Sequence, residues 1–159
     1  MRLTLVMLAP EQVQQLARDE KALVKIIVEA KAGSGLHMDK EWHGIHYLLT
    51  GDPWSTKGPY GQVILGGKEI GPDLGYGPAR VLSTSQVAEI ASTLKSLSEE
   101  QLRKRYDPAA MTKAEIYPEM IWQREGEAAL VWLLEGYRKL VDFYAKAAAQ
   151  GKVVLLAIV

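Results

Sequence analysis

Two apolar runs at opposite ends of the chain constrain the fold more than any other feature. Leu3–Leu8 is interrupted only by Thr4, and Val153–Val159 contains no polar residue. A strand with one face in water alternates apolar and polar residues, so a run without alternation indicates a strand that is covered on both faces. We therefore expect the two runs to pair in the middle of a small mixed sheet that is packed with several helices.

The rest of the chain predicts helices and one domain. Its 159 residues suit a single domain spanning 1–159. Glu127–Gln150 carries the longest run of apolar residues at helical spacing, and Gly136 inside it would permit close packing. Ser83 and Ser98 each stand three positions before a glutamine, the pattern of a capping box at the start of a helix. Together with the terminal strands, these helices predict an α+β fold.

Composition excludes several classes of function. The formal net charge is zero and there is no long basic run, which argues against a nucleic-acid partner. No apolar run approaches the roughly 20 residues that span a bilayer, so we expect no membrane partner and a cytoplasmic location. The absence of cysteine excludes disulfides, thiolate nucleophiles and cysteine metal sites. We expect no cofactor.

The densest group of reactive side chains lies in residues 39–52, which read DKEWHGIHYLLTGD. Their periodicity predicts a helix that Asp39 caps and that ends at Thr50 and Gly51. One face of this helix is apolar apart from an imidazole and is typical of a core: Trp42, Ile45, His46 and Leu49. A second stripe has residues at intervals of four and predicts a polar relay of acid, imidazole and phenol: Asp39, His43 and Tyr47.

A segment rich in glycine and proline follows this helix directly. Residues 51–78 contain eight glycines and four prolines, which argues against a regular helix, although Gln62–Leu65 could form a short strand. Large apolar residues, including Trp54, lead us to expect an ordered loop layer packed over the central helix. Arg80, at the end of the sequence GYGPAR, could bind a carboxylate or a phosphate. Further along, the apolar residues of Ile116–Trp122 are expected to be anchored in the core.

The familiar metal and phosphate motifs are incomplete in this chain. His43 and His46 are three residues apart, but no H-E-x-x-H motif is present and we expect no metal site. Gly61–Lys68 departs from a phosphate-binding loop in its spacing, and Glu69 stands where a serine or threonine would hold magnesium. The structural alternative is that His46 packs in the core with a backbone partner, while His43 caps the helix or bonds to Asp39.

Several motifs together resemble a known family. The sequences DKEWHGIHYLLTGD, GGKEIGPDLGYGPARVLS and IYPEMIW precede a long helix that closes in FYAKAAAQGKVVLLAI. In this order they resemble the YfbM-like family of bacterial proteins of unknown function, over almost the whole chain. The resemblance implies a single α+β domain in a small cytoplasmic protein. It implies no activity and no catalytic residue.

Two functional hypotheses follow. The first is a small cytoplasmic binding or interaction module whose partner is an unknown protein or small molecule, and such a module should expose an apolar patch. The alternative is an enzyme or a protein that binds an anionic small molecule between the 39–50 helix and the 75–80 loop. Its site would gather five side chains around one cavity: Asp39, His43, His46, Tyr47 and Arg80. The same groups could instead neutralise one another, Asp39 with Arg80 and His43 with a backbone carbonyl.

Overall fold

The computed structural model describes residues 1–30 and 33–159, which form strands and helices in the following order along the chain. The strands are β1 (Leu3–Leu8), β2 (Gly35–Met38), β3 (Lys68–Asp73), β4 (Pro78–Leu82) and β5 (Val153–Ile158). The helices before β3 are α1 (Gln12–Arg18), α2 (Glu20–Val28), α3 (Glu41–Thr50) and α4 (Gly58–Leu65). The helices after β4 are α5 (Thr84–Ser96), α6 (Glu99–Arg105), α7 (Pro108–Lys113), α8 (Trp122–Glu125) and α9 (Glu127–Ala149).

The five strands of the described chain form one sheet in the order β2-β1-β5-β4-β3. The predicted pairing of the terminal strands is confirmed, because β1 and β5 are neighbours in register from Leu3 opposite Ile158 to Leu8 opposite Val153. The prediction of a mixed sheet is wrong, since every neighbouring pair is antiparallel. A continuous apolar run reports burial on two faces and carries no information on strand direction, so antiparallel strands satisfy it equally well.

Helices cover both faces of the sheet, which explains the unalternated strands. On one face, Leu23 and Ile27 of α2 pack with Val6 and Leu155 in a smaller core that α1 also joins. The larger core on the other face contains alternate residues of the same strands, such as Leu5, together with α3, α5 and α9. The α+β class predicted from the sequence is therefore confirmed, and α3 lies within the larger core.

Most of the helix boundaries follow the predicted local signals. The side chains of Ser83 and Ser98 each accept from the backbone N–H of the glutamine three residues on, and the backbone N–H of each serine donates to Oε1 of that glutamine, so both capping boxes are confirmed. Gly51 ends α3 in the left-handed conformation, with φ of 73°. The start of α3 differs, because the helix begins at Glu41 without a side-chain cap. Asp39 therefore lies one residue too early to serve as its cap.

Helix α4 corrects the interpretation of the glycine-rich segment as a loop layer. Gly58–Leu65 is helical, so neither a loop nor a strand at Gln62–Leu65 forms there. Pro59 occupies the first turn, where a missing N–H costs no hydrogen bond. A Cβ atom on Gly61 would come within 2.5 Å of the Thr56 carbonyl carbon, so the glycine lets the preceding loop cross α4 closely. Tertiary packing thus offsets the low helix propensity of glycine.

Two glycines allow α3 and α9 to approach each other closely. A Cβ atom on Gly136 of α9 would lie 2.8 Å from Cδ1 of Ile45 and 2.9 Å from Cγ of Glu41. A Cβ atom on Gly44 of α3 would lie 2.6 Å from Cη2 of Trp122 and 2.7 Å from Cδ2 of Leu133. The close packing predicted at Gly136 is confirmed, and Gly44 makes the reciprocal contact.

We expect Gly44→Ala to lower the free energy of unfolding by about 1–3 kcal/mol, the usual cost of overpacking a core. On an exposed helix the same change would stabilise the chain by up to about 1 kcal/mol. The sign reverses here because the Trp122 ring is buried and its Nε1 donates to the Ile116 carbonyl at 2.7 Å, which holds the ring in place. Urea titration of both proteins measures the difference, and a variant as stable as the wild type would contradict this packing.

Candidate functional site

The predicted site begins with α3, a helix that is buried along most of its length. All of its side chains from Glu41 to Leu49 are buried except Tyr47, which is half-buried. The larger core receives Trp42, Ile45 and Leu49. The predicted core face is confirmed at Trp42, which has no exposed surface. The polar stripe differs from the prediction, because His43 is buried as well.

His43 joins α3 to two loops through both of its ring nitrogens. The backbone N–H of Tyr117 donates to Nδ1 at 3.0 Å, so Nδ1 is unprotonated and Nε2 carries the proton. Nε2 then donates to the carbonyl of Pro53 at 3.0 Å. Burial lowers the pKa of His43, an effect that the Pro53 carbonyl partly opposes. Both nitrogens of the neutral imidazole are thus hydrogen-bonded to backbone groups. This agrees with the structural hypothesis in which His43 bonds to a backbone carbonyl.

Two tryptophans contact the His43 ring, one from the core and one at the surface. Trp42 lies on the core side, with ring centroids 4.9 Å apart and planes inclined by 25°. Trp54 packs at 4.5 Å and 37°, yet 60% of its surface is exposed. The histidine therefore connects a buried indole to an indole at the surface.

His46 is fully buried, and neither ring nitrogen has a hydrogen-bond partner among the described residues. Burial and, to a lesser extent, the charge of His43 lower the pKa of His46, whereas Asp52 and the backbone of Ser55 raise it, and the net value is about 4. The backbone of Ser55 is close enough to raise the pKa of His46 but lies outside hydrogen-bond geometry. The hydrogen bond expected between His46 and a backbone group is therefore not formed. His46 is neutral at pH 7.

Arg80 lies on the same side of the sheet as α3 but makes its contacts elsewhere. Its Nη2 donates to the carbonyl of Ile64 in α4 at 3.4 Å, and in the strand register it stands opposite Glu69. Burial lowers the pKa of Arg80, and Glu69 opposes this shift. Its Nε is buried without a partner in the described chain. Arg80 lies within β4 rather than on a loop that faces the histidines, and α4 packs against α3.

The structure does not bring the five predicted residues together. Asp39 is exposed ahead of α3, and His43 bonds to Pro53 and Tyr117 rather than to Asp39 or Tyr47. Five of the clefts on the described surface have volumes of 270–520 Å³, and none of these is lined by a histidine or by Arg80. Tyr47 alone of the predicted residues lines one of them, at the C-terminal end of α3.

Comparison with known proteins identifies the family. The family model described as a domain of unknown function, DUF1877, matches residues 1–157. The chain belongs to this family. It is similar to Protein YfbM of Escherichia coli strain K12, with 28% identity over 156 residues that cover 94% of this chain and 92% of the relative. The resemblance drawn from the central motifs is confirmed.

A solved structure shows the same fold. The crystal structure of the protein of unknown function YfbM from Escherichia coli superposes with a TM-score of 0.79, covering 100% of both chains at 24% sequence identity. This likeness supports the α+β architecture of the DUF1877 chain. The family description assigns no function.

The DUF1877 chain also has exposed apolar residues that sequence reasoning missed. Met120 is 79% exposed, so the expectation that Ile116–Trp122 is anchored in the core is wrong at this position, although Ile116 and Trp122 are fully buried. The N–H of Ile121 donates to the carbonyl of Pro118, and the turn between them carries Met120 outward. An irregular segment has no period from which such an orientation can be read.

Metal binding and membrane insertion gain no support from the described residues. Nowhere in residues 1–30 and 33–159 do three His, Cys, Asp or Glu side chains gather in a way that could hold a metal ion. Within the same ranges, no helix combines the length and apolarity needed to cross a bilayer.

Proposed function

We propose that this DUF1877 chain is a protein-interaction module of the bacterial cytoplasm. Its contact surface is formed by two loops that His43 joins. One loop exposes Trp54, and the other exposes Met120 beside the half-buried Tyr117 and Pro118. We call it the Trp54–Met120 surface. The observation that carries the proposal is that Trp54 is 60% exposed although its ring packs at a tilt against a buried histidine.

Rigid support makes these side chains suitable for binding. Tryptophan is the residue type most enriched among the residues that dominate interface energies. Ordering a flexible side chain on binding costs about 0.5–1.5 kcal/mol, and the contact of Trp54 with the His43 ring reduces that cost in advance. The bonds of His43 to Pro53 and to Tyr117 fix the backbones of both loops in the same way.

The charges of the two loops indicate the kind of partner. Three exposed acids, Asp52, Glu115 and Glu119, lie on them with one exposed base, Lys57. An apolar patch with an acidic rim favours a protein segment that inserts an apolar side chain and carries lysine or arginine around it. Complementary charge of this kind mainly speeds association and discriminates between partners.

Photo-crosslinking inside bacterial cells tests the proposal. A benzophenone amino acid at position 120 should yield discrete cross-linked products, and Trp54→Ala in the same chain should remove them. Position 131 is the matched control, because Val131 is 44% exposed but lies on α9. Equal products from both positions, or products that survive Trp54→Ala, would show that the Trp54–Met120 surface is not the contact site.

The five residues predicted from the sequence receive different roles in this proposal. His43 positions the two loops, and His46 fills the core below them. Arg80 and Asp39 lie outside the Trp54–Met120 surface and take no part in the contact. Tyr47 belongs to a separate cleft.

A further inference from the structure

We propose that the cleft at the C-terminal end of α3 binds a small molecule that carries a carboxylate on an apolar or aromatic body. Arg105 would bind the carboxylate, and Tyr47 and Tyr60 would contact the body of the ligand. This site is separate from the Trp54–Met120 surface, so either proposal can fail without the other.

The cleft is formed where three parts of the chain meet. The last turn of α3 supplies Tyr47 and Thr50, and α4 supplies Tyr60. Arg105, the last residue of α6, and Asp107, just before α7, complete the lining. Its volume is about 500 Å³, within the range of about 300–1,000 Å³ that is usual for small-molecule sites. Aromatic rings beside a few polar groups are the usual lining of such sites.

The guanidinium of Arg105 is held in position before any ligand arrives. Nη1 donates to the carbonyls of Leu48 and Leu49 at 3.1 and 3.3 Å, and the guanidinium carbon lies 5.6 Å from the centre of the Tyr60 ring. These contacts with the end of α3 and with a ring restrict a side chain that is otherwise flexible. Little conformational entropy then remains to be lost on binding.

The charge of Arg105 has no acidic partner within the part of the chain that the structure describes. Its neighbour Arg103 pairs with Glu127, whereas no ion pair involves Arg105. Within the same residues, Nε and Nη2 make no hydrogen bond, and these two atoms form the edge of a guanidinium that binds a carboxylate through two parallel bonds. Arg105 uses only Nη1 to bind the carbonyls at the end of α3, so its Nε and Nη2 atoms remain available for a ligand.

Asp107 determines which anion suits the cleft. Its Oδ1 accepts from the N–H of Ala110 at 3.0 Å at the start of α7, so this carboxylate is held in the wall of the cleft. A fixed negative charge repels a dianion more strongly than a monoanion. A carboxylate is therefore favoured over a phosphate monoester.

Titrations observed by NMR test this site, with benzoate as the probe, benzamide as its neutral counterpart and phenyl phosphate as the dianion. Benzoate should shift the backbone signals of residues 47–51 and 105 in a saturable way, and benzamide should bind at least about tenfold more weakly, because it lacks a charged hydrogen bond. Arg105→Lys keeps the positive charge but loses the guanidinium edge that makes two parallel hydrogen bonds. It should weaken benzoate binding by about tenfold or more.

A second variant keeps the proposal testable if Arg105→Lys does not fold. Asp107→Asn preserves the cap of α7, since asparagine caps helices as well as aspartate does. It should tighten the binding of both anions, and of phenyl phosphate the more, because it removes the repulsion. Benzoate shifts that do not saturate or that map elsewhere would overturn the proposal, as would unchanged affinity in a folded Arg105→Lys or in Asp107→Asn.

Discussion

Trp42→Ala is expected to lower the free energy of unfolding by about 3–5 kcal/mol, the usual range for a buried aromatic residue. Trp42 has no exposed surface and stacks on His43 in the larger core. Its Nε1 is buried and has no hydrogen-bond partner among the described residues, so truncation removes packing without breaking a hydrogen bond. The loss is a large part of the roughly 5–15 kcal/mol that stabilises a typical domain.

The matched control is Trp54→Ala, which removes the other tryptophan that contacts the same histidine. Most of Trp54 is exposed, so its removal should mainly lose the contact with the His43 ring. An aromatic pair contributes at most about 1.5 kcal/mol in addition to the area it buries, and the free energy of unfolding should fall by no more than that. Urea titration of both variants measures the contrast. If Trp42→Ala cost less than about 1 kcal/mol, the usual effect of a peripheral substitution, Trp42 would not belong to the core.

Those parts of the fold that depend on neighbouring residues could be predicted from the sequence. The terminal runs predicted burial on two faces, and Ser83 with Gln86 predicted a capping box, because the interacting groups are three residues apart. Periodicity likewise placed Trp42 on the buried face of α3. In each case the physical cause lies within one turn of helix or one strand.

Helix α4 shows why other parts could not be predicted. The glycines of residues 58–65 disfavour a helix locally, and Pro59 is tolerated only because it falls in the first turn. The compensating contacts come from elsewhere: Gly61 packs against the backbone of Ser55 and Thr56, and the hydroxyl of Tyr144 in α9 donates to the carbonyl of Val63 at 2.5 Å. The second contact spans 81 residues, so it leaves no local pattern.

The geometry of the candidate site depends on contacts between distant residues more than the core does, so it was harder to predict from the sequence. The hydrogen-bond partners of His43 lie 10 and 74 residues away, and both are backbone groups, which any sequence offers at every position. The acid and the phenol on the same predicted stripe were therefore poor guides to what the imidazole binds. Arg80 shows the same effect, since its partner Ile64 belongs to the helix that was not foreseen.

The stability of this protein is expected to fall as the pH drops from 6.5 towards 4, through the buried His46. The ordinary pKa of histidine is 6.5, whereas the pKa of His46 in the folded chain is about 4. Between pH 6.5 and pH 4 the unfolded chain therefore binds a proton that the folded chain excludes. The contribution of His46 is fully present above pH 6.5 and is lost progressively below it. At about 1.4 kcal/mol per pKa unit, the whole loss is about 3 kcal/mol.

The surroundings of His46 explain why its pKa is lowered. Removal from water disfavours the charged imidazole most, and His43 on the same helix adds repulsion when it is protonated. Asp52 and the backbone of Ser55 act in the opposite sense and reduce the shift. His43 adds to the loss of stability, since burial lowers its pKa too and a proton on Nδ1 would displace the N–H of Tyr117.

Urea titrations between about pH 7 and pH 5 separate this effect from ordinary acid unfolding, because free carboxyl groups have pKa values near 4 and stay mostly ionised in that range. The wild type should lose about 2 kcal/mol through His46 by pH 5. His46→Gln keeps a polar side chain of similar length that does not titrate, so its stability should fall by about 2 kcal/mol less over the same interval. Parallel pH profiles would refute the assignment, as would an NMR titration of the His46 ring with a midpoint near pH 6.5 in the folded protein. A flatter profile in His46→Gln would establish that α3 carries a histidine whose neutral form is required by the core itself.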